Sequence, residues 1–244
     1  MAIFAYKVVF FDLDHTLVDT RKQYDLGLAR TNHILYPNGV PASWQEHFMH
    51  HHEQLWELYD RRVLTMQQLR RERFILAWRD FGEERSVAEA DHFQDVYLEG
   101  FQETLFPYPG TLAMVKVLAQ QYRLAIVTNG APDLQEAKLQ AAGLSPYFPR
   151  ESLIVSEQVG EAKPHPSVYA AACAAMGVQA GQAVMVGDNL RADVEGAKAF
   201  GLDAIWYVPD AGMAATAHAT VGRMPLTQPQ QVLQELNRME QARG

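Results

Sequence analysis

Two carboxylates, placed two residues apart, directly follow an apolar run near the start of the chain. In the stretch VVFFDLDHTLVDT, four apolar residues from Val8 to Phe11 predict a short buried strand, and Asp12 and Asp14 stand at its end. Clustered carboxylates repel each other and lose solvation beside an apolar strand. A divalent cation offsets that repulsion, and Mg²⁺ favours a few carboxylates together with water and phosphate oxygens. A divalent cation, held together with groups from elsewhere in the chain, would explain the pair, although two such aspartates alone are weak evidence.

Further polar residues follow three other apolar runs along the chain. Their segments are IVTNG, GEAKPHP and VMVGDN, and the residues are Thr128, Asn129, Lys163, Asp188 and, five residues later, Asp193. In open parallel sheets, sites form at the carboxyl ends of the strands. We therefore expect these groups to meet Asp12 and Asp14 in space, although they are far apart in sequence.

Five short apolar runs with helical stretches between them predict the sheet. The predicted strands are Val8–Phe11, Leu124–Thr128, Leu153–Ser156, Val184–Gly187 and Ala204–Val208. Strands that are apolar throughout and alternate with helices indicate a parallel sheet covered on both faces, so the predicted fold class is α/β. The pattern also suggests a short strand at Thr220 and Val221 and a closing helix after Pro229.

The region from residue 21 to residue 103 has a different pattern. It shows amphipathic helical spacing and no convincing strand, and it contains three of the four tryptophans, Trp44, Trp56 and Trp78. The segment FPYPGT then marks a return to the α/β pattern. We predict an α/β core formed by residues 1–20 and 104–244, with an all-helical unit of residues 21–103 inserted in it.

Composition narrows the classes of partner. The net charge of −8 argues against binding of a nucleic-acid polymer or an anionic membrane. The single cysteine, Cys173, excludes a disulfide within the chain and a cysteine-rich metal site. No apolar stretch approaches the length of a membrane span, and no secretory signal pattern is present. We expect a cytoplasmic protein, either a monomer or a homodimer.

The four polar segments together resemble a known family. DLDHTLVD, IVTNG, KPHP and GDNLRAD, in this order, are similar to the four motifs of the haloacid dehalogenase superfamily, in its phosphatase branch. The resemblance implies a Rossmann-like core with a helical cap over the site. It implies that Asp12 is a nucleophile that forms an aspartyl-phosphate, and that Asp14 is first the general acid and then the general base.

The same resemblance implies the ligands of the metal and of the phosphate. Mg²⁺ would be held by Asp12, the main-chain carbonyl of Asp14, and Asp188. The phosphoryl oxygens would be bound by Thr128, Asn129 and Lys163, and Asp193 would orient Lys163 or a metal-bound water.

Taken singly, each motif has a simpler structural explanation. Asp12 could cap a strand, Asp14 could form a turn, Lys163 could be a solvated loop lysine, and Asp188 could cap a helix. All four motifs at strand ends of one α/β pattern favour the catalytic interpretation. His47, His50 and His51 also have a spacing that suits a metal, but with no carboxylate evident nearby we expect a solvated helix face.

A weaker resemblance concerns the substrate. LWELYDRRVLTMQQLRRERFILAW and IVTNGAPDLQEAKLQAAGL are similar to the bacterial house-cleaning pyrimidine 5′-nucleotidases, which implies a nucleoside monophosphate as substrate. Trp56 or Tyr59 could stack on a base, whereas at least two of the three tryptophans should pack the interior of the helical unit. The main alternative is a phosphoglycolate or sugar-phosphate phosphatase. Three other functions are less favoured: a phosphosugar mutase, a dehalogenase and a non-catalytic binding protein. A dehalogenase does not require an acid at the position of Asp14.

Overall fold

The chain forms two compact units. The computed structural model describes residues 5–243, so residues 1–4 and 244, which the predicted core includes, lie outside the described residues. One unit ends at Thr20 and resumes at Phe106, and the other spans Arg21–Leu105. The first unit carries the sheet, and the second is built from helices.

Five parallel strands make a single sheet in the first unit, which confirms the predicted α/β fold class. The order across the sheet is β3-β2-β1-β4-β5. The strands are β1 (Val8–Phe11), β2 (Arg123–Thr128), β3 (Leu153–Val155), β4 (Ala183–Gly187) and β5 (Asp203–Trp206). β1 lies in the centre, with Val8 opposite Arg123 of β2 on one side and Ala183 of β4 on the other. The carboxyl ends of β1, β2 and β4 therefore lie side by side at one edge of the sheet.

Helices connect successive strands, as parallel strands require. Those of this unit are α6 (Thr111–Leu118), α7 (Gln135–Ala141), α8 (Ser156–Val159), α9 (Pro166–Ala175), α10 (Gly196–Phe200), α11 (Ala211–Val221) and α12 (Pro229–Gln241). A π-helical turn, Leu190–Glu195, precedes α10. The closing helix after Pro229 is confirmed.

The predicted strand at Thr220 and Val221 is wrong, because both residues belong to the last turn of α11. The Asp210 side chain accepts a hydrogen bond from the main-chain N–H of Met213 and so caps the start of this helix. Alanine, the best helix former, fills much of the stretch that follows. Two β-branched residues at the end do not outweigh the preceding helical turns.

One face of the sheet packs against α9. Val8, Phe10 and Val127 from the strands form one cluster with Ala172 and Cys173 of the helix. Small side chains on the helix let it approach the sheet closely. Cys173 is 6% exposed, and burial raises the pKa of its thiol, as expected of a packed residue.

The second unit contains only helices among its described elements. They are α1 (Thr20–Leu35, which begins in the first unit), α2 (Trp44–Asp60), α3 (Met66–Arg79), α4 (Val87–Glu99) and the short α5 (Phe101–Thr104). Capping boxes begin two of them, with Thr65 and Gln68 at α3 and Ser86 and Glu89 at α4. Across residues 5–243, no helix combines the length and the apolar character needed to cross a membrane.

Candidate active site

Lys163 lies at the centre of the polar cluster at the sheet edge. It follows α8 in a loop, and its side chain is 2% exposed. Its Nζ donates to Oδ1 of Asp12 at 2.8 Å, to Oδ1 of Asp193 at 2.7 Å and to the carbonyl oxygen of Val127 at 2.6 Å. An ammonium group has three donors, so each has an acceptor in this structure. The lysine thus joins the end of β1, the end of β2 and the turn after β4.

Three carboxylates surround this lysine. One oxygen from each of Asp12, Asp188 and Asp193 lies within 4.8 Å of the others. The Thr16 hydroxyl lies between two of them, 3.0 Å from Oδ1 of Asp188 and 3.3 Å from Oδ2 of Asp12, and it accepts a hydrogen bond from the main-chain N–H of Asp188. Sequence reasoning gave Thr16 no role in the site. Its place four residues after Asp12, in the loop beyond β1, was the available signal.

The electrostatics of the cluster favour a bound cation. Burial raises the pKa of Asp12, Lys163 opposes that rise, and Asp193 adds to it. Burial and the charges of Asp12 and Asp193 likewise hold the pKa of Asp188 well above its usual range. Burial alone would lower the pKa of Lys163, but the two adjacent carboxylates raise it overall. One lysine does not balance three carboxylates, two of them buried and one partly buried, and a divalent cation would supply the missing positive charge.

Asp193 is already occupied on both oxygens. Oδ1 accepts from Lys163, and Oδ2 accepts from the main-chain N–H of Asn189 at 3.0 Å. A Cβ at Gly187 would lie 2.3 Å from Cγ of Asp193, so only glycine permits this close approach. Asp193 thus holds the lysine, and direct binding of a metal by Asp12 and Asp188 stays a prediction.

The loop after β2 positions the lysine from the other side. The Asn129 side chain donates to the carbonyl oxygen of Lys163 at 3.1 Å and accepts from its main-chain N–H at 2.8 Å. Thr128 is buried, and its hydroxyl oxygen accepts from the N–H of Gly130 at 3.0 Å. The Asn129 side chain thus fixes the Lys163 loop, and its contact with a phosphate stays a prediction.

Asp14 has a cationic partner that sequence reasoning missed. Nζ of Lys138, on α7, donates to Oδ1 of Asp14, and the Thr20 hydroxyl donates to the same oxygen at 2.7 Å. Burial would raise the pKa of Asp14, but the charge and hydrogen bond of Lys138, together with Thr20, lower it overall. Gln135, Lys138 and Leu139 are the buried residues of α7. The available signal in the sequence was the position of Lys138, next to Leu139 and three residues after Gln135.

The histidines of α2 do have a carboxylate nearby, contrary to the expectation from the sequence. Asp80, just past the end of α3, places Oδ2 2.7 Å from Nδ1 of His47 and 2.8 Å from Nε2 of His51. These interactions link α2 to the end of α3. His50 instead contacts Gln54, four residues along the same helix, at 3.0 Å.

The tryptophans of the helical unit divide as predicted. Trp44 and Trp78 are 0% and 2% exposed and pack in the interior of that unit, which confirms that at least two of the three are core residues. Trp56 is only partly buried, and its ring lies 5.5 Å from that of Tyr59. Tyr59 is 3% exposed. Trp56 is therefore the tryptophan of this unit that keeps an accessible face.

Comparisons with known proteins concern the family and the fold of the chain. A family model described as a haloacid dehalogenase-like hydrolase matches residues 6–201. The chain is 30% identical over 207 residues to the pyrimidine 5′-nucleotidase PynA of Streptococcus pneumoniae, covering 84% of each protein. It is also 30% identical over 202 residues to a glyceraldehyde 3-phosphate phosphatase of Pyrococcus abyssi, covering 82% of this chain and 81% of that protein. The solved structure of the HAD-hydrolase YfnB from Bacillus subtilis, bound to magnesium, has a TM-score of 0.73 at 24% identity over 89% of this chain and 99% of that one, which shows a shared fold.

Proposed function

Because this chain belongs to the haloacid dehalogenase-like hydrolase family, we propose that it is a Mg²⁺-dependent phosphomonoesterase, with nucleoside monophosphates, pyrimidine ones above purine ones, as its preferred substrates. The observation that carries the proposal is the cluster in which Lys163 joins Asp12 and Asp193, with Asp188 beside them. A buried lysine beside three clustered carboxylates, two of which are buried, is costly for stability and suits the handling of a phosphoryl group.

Asp12 is the nucleophile in this proposal. Its carboxylate attacks phosphorus, the bond to the ester oxygen breaks, and an aspartyl-phosphate forms. Asp14 gives a proton to the departing oxygen. In the second step water attacks phosphorus, its proton goes to Asp14, and Asp12 is released. The two carboxylates have separate cationic partners, Lys163 for Asp12 and Lys138 for Asp14.

Asp12, Asp188 and the main-chain carbonyl of Asp14 would hold the Mg²⁺ ion. Bound there, the ion would neutralise charge on the phosphoryl oxygens and reduce the repulsion between them and the nucleophile. Thr128, the last residue of β2, and Lys163, in the loop before α9, would bind the same phosphoryl oxygens. Both residues are buried at this edge of the sheet. Lys163 would exchange one of its present acceptors for a phosphoryl oxygen.

The choice of substrate rests on the resemblance to the nucleotidases and on the helical unit. PynA is a pyrimidine 5′-nucleotidase, and the partly exposed ring of Trp56 offers a surface for stacking on a base. The equally similar glyceraldehyde 3-phosphate phosphatase makes a small sugar phosphate the second candidate class. The catalytic groups act on the phosphate alone, so they do not discriminate between these two classes.

A phosphate-release screen tests the proposal. It compares nucleoside monophosphates, sugar phosphates, phosphoglycolate and p-nitrophenyl phosphate, each with Mg²⁺ and with excess chelator. We expect the largest kcat/KM for pyrimidine nucleoside monophosphates and no activity in chelator. Asp12→Asn, which is nearly isosteric, should lower kcat by at least about a thousandfold with the fold intact. A higher kcat/KM for a sugar phosphate would exclude the nucleotidase assignment, and Asp12→Asn activity within tenfold of the parent would exclude the covalent mechanism.

Trp56→Ala tests the role of the helical unit within the same screen. The variant should raise KM for the best nucleotide more than KM for p-nitrophenyl phosphate, because only the nucleotide has a base to stack. Phe106→Ala, which removes an exposed ring from the other unit, is the matched control. Equal changes in both KM values for Trp56→Ala would show that this tryptophan does not select the substrate. Isomerised product without free phosphate would identify a mutase instead.

A further inference from the structure

Lys138 is a buried lysine to which the family motifs assign no role. It lies on α7, the helix that follows the loop after β2, and its side chain is 7% exposed. Nζ of Lys138 donates to Oδ1 of Asp14, across 124 residues of sequence. Burying an ammonium group is costly unless it is paired, so a specific partner is the reason this residue can stand on the buried face of the helix.

The surroundings of Asp14 make its orientation depend on few groups. Lys138 and the Thr20 hydroxyl both donate to Oδ1, whereas Oδ2 is buried and has no donor within the described part of the chain. A Cβ at position 130 would lie 2.6 Å from Oδ2 of Asp14, so glycine at this position leaves space for that oxygen. One oxygen is therefore anchored, and the other is left without a hydrogen bond.

Asp12 and Asp14, the first two aspartates of DLDHTLVD, thus have separate cationic partners. Lys163 pairs with Asp12 and Asp193, and Lys138 pairs with Asp14. The two lysines come from different elements, Lys163 from the loop before α9 and Lys138 from α7. A lysine bound to Asp14 acts where the proton is transferred, and not where the phosphorus is attacked.

We propose that Lys138 is a positioning residue that holds Oδ1 of Asp14, so that this carboxyl group keeps one orientation in both proton transfers of the reaction. The inference rests on the proposed phosphatase function. Lys138 itself gives up no proton and forms no bond to phosphorus. Asp14 passes a proton to the ester oxygen as the P–O bond breaks, and it takes one from water as the aspartyl-phosphate is hydrolysed.

Substrates with different leaving groups test this role. p-Nitrophenoxide leaves with little help from an acid, whereas an alkyl ester such as the best nucleotide or sugar phosphate of the screen needs protonation. kcat/KM reports the steps up to formation of the aspartyl-phosphate. Lys138→Met should lower kcat/KM for the alkyl ester at least about tenfold more than for p-nitrophenyl phosphate. Lys138→Arg, which keeps the charge, should recover most of the difference.

A double-mutant cycle separates positioning from a general structural role. If Lys138 acts through Asp14, adding Lys138→Met to Asp14→Asn should change kcat/KM for the alkyl ester less than about twofold. Lys116→Met, at an exposed lysine of α6, is the matched control and should leave both substrates unaffected. Lys138→Gln replaces Lys138→Met if the apolar variant does not fold.

Three results would overturn the inference. The first is an equal loss of kcat/KM on both esters in Lys138→Met. The second is a rise in KM for both esters with kcat unchanged, which would make Lys138 a phosphate ligand. The third is a full additional loss when Lys138→Met is added to Asp14→Asn. If the parent enzyme releases phosphate but the ratio between substrates does not change in Lys138→Met, only the role of Lys138 fails. If the parent releases phosphate from no ester, the proposed function fails, and the inference fails with it.

Discussion

Lys163 in the α/β unit and Arg73 in the helical unit are both buried cations, but their partners are of opposite kinds. Lys163 is surrounded by charge, since its Nζ contacts Asp12 and Asp193 at 2.8 and 2.7 Å. Arg73, which is 3% exposed, pairs with no carboxylate among residues 5–243. Its guanidinium donates to the neutral side chains of Gln94 at 2.8 Å and Tyr24 at 3.3 Å.

Aromatic rings complete the surroundings of Arg73. Its guanidinium carbon lies 4.9 Å from the ring centre of Phe48 and 5.7 Å from that of Tyr24, and its Nη1 lies 3.1 Å from Nδ1 of His52. A guanidinium group is weakly hydrated and planar, so it tolerates burial between rings and neutral acceptors better than an ammonium group does.

The difference separates a buried charge that serves packing from one that belongs to a reactive site. The terminal nitrogens of Arg73 donate to Tyr24 and Gln94, and within residues 5–243 no carboxylate pairs with it. Around Lys163, carboxylates outnumber the cation, and burial and mutual repulsion raise the pKa values of Asp12 and Asp188. Such an arrangement costs stability and is typical of sites that bind a further charged group. The following variants are expected to separate the two kinds of site, from the largest effect to the smallest.

Lys163→Met should cause the largest loss of stability. Without the lysine, Asp12 and Asp193 remain buried without a counter-ion, and the free energy of unfolding in chelator should fall by about 3–5 kcal/mol. The pKa of the Asp12 carboxyl in the folded state, which Lys163 now holds down, should then rise further above its unfolded value. The loss should therefore grow as the pH rises from 5.5 to 8. Urea unfolding followed by far-UV circular dichroism measures it, and a loss that does not depend on pH would contradict this electrostatic account.

Mg²⁺ should stabilise the α/β unit of the parent protein. An ion present at a hundredfold excess over its dissociation constant adds about 2.7 kcal/mol to the free energy of unfolding. Asp188→Asn should remove most of this gain, because it takes away one of the two carboxylates proposed to bind the ion directly. Asp95→Asn, on the exposed face of α4, is the control and should keep the full gain. An equal gain in Asp188→Asn and the parent would place the ion elsewhere.

Arg73→Met should have a smaller effect than Lys163→Met. The change leaves neutral acceptors without a donor, which costs about 1–3 kcal/mol, while the methionine keeps contact with Phe48. Tryptophan fluorescence is the suitable probe, since three of the four tryptophans lie in this unit. Arg79→Met, at an exposed position of the same helix, should change little. A loss as large as that of Lys163→Met would refute the distinction between the two cations.

Ser86→Ala should have the smallest effect, because it removes a local cap at the surface. Loss of a side-chain cap costs about 1 kcal/mol, and Ser86→Thr should retain most of it. Hydrogen bonds from the main chain and side chain of Ser86, and from Arg85, lower the pKa of Glu89 to about 2. The contribution of Glu89 is therefore present above the unfolded pKa of 4.5 and is lost as the pH falls towards 2. The difference between parent and variant should shrink over that range in thermal unfolding curves.

The strands and the polar groups at their ends were predictable from the sequence. Each strand of the sheet contains a short apolar run, and such runs are distinctive because both faces of the sheet are covered. Asp12 and Asp188 directly follow two of those runs, and Lys163 lies in the loop before α9. An open parallel sheet brings the three residues to one edge. The local helix signals were less secure, as Thr220 and Val221 in α11 show.

The partners of these groups were decided by the tertiary structure. No local pattern pairs Lys138 with Asp14, places the Thr16 hydroxyl between two carboxylates, or brings Asp80 to His47 and His51.

Whether a residue lies in a strand, a helix or a loop depends largely on neighbours a few residues away, so the local pattern of apolar and polar residues predicts it. A partner more than a hundred residues distant depends on how helices pack and which side chains are buried. The sequence therefore determined which groups reach the edge of the sheet, and only the packing of α7 and the loops decided which cation holds each carboxylate.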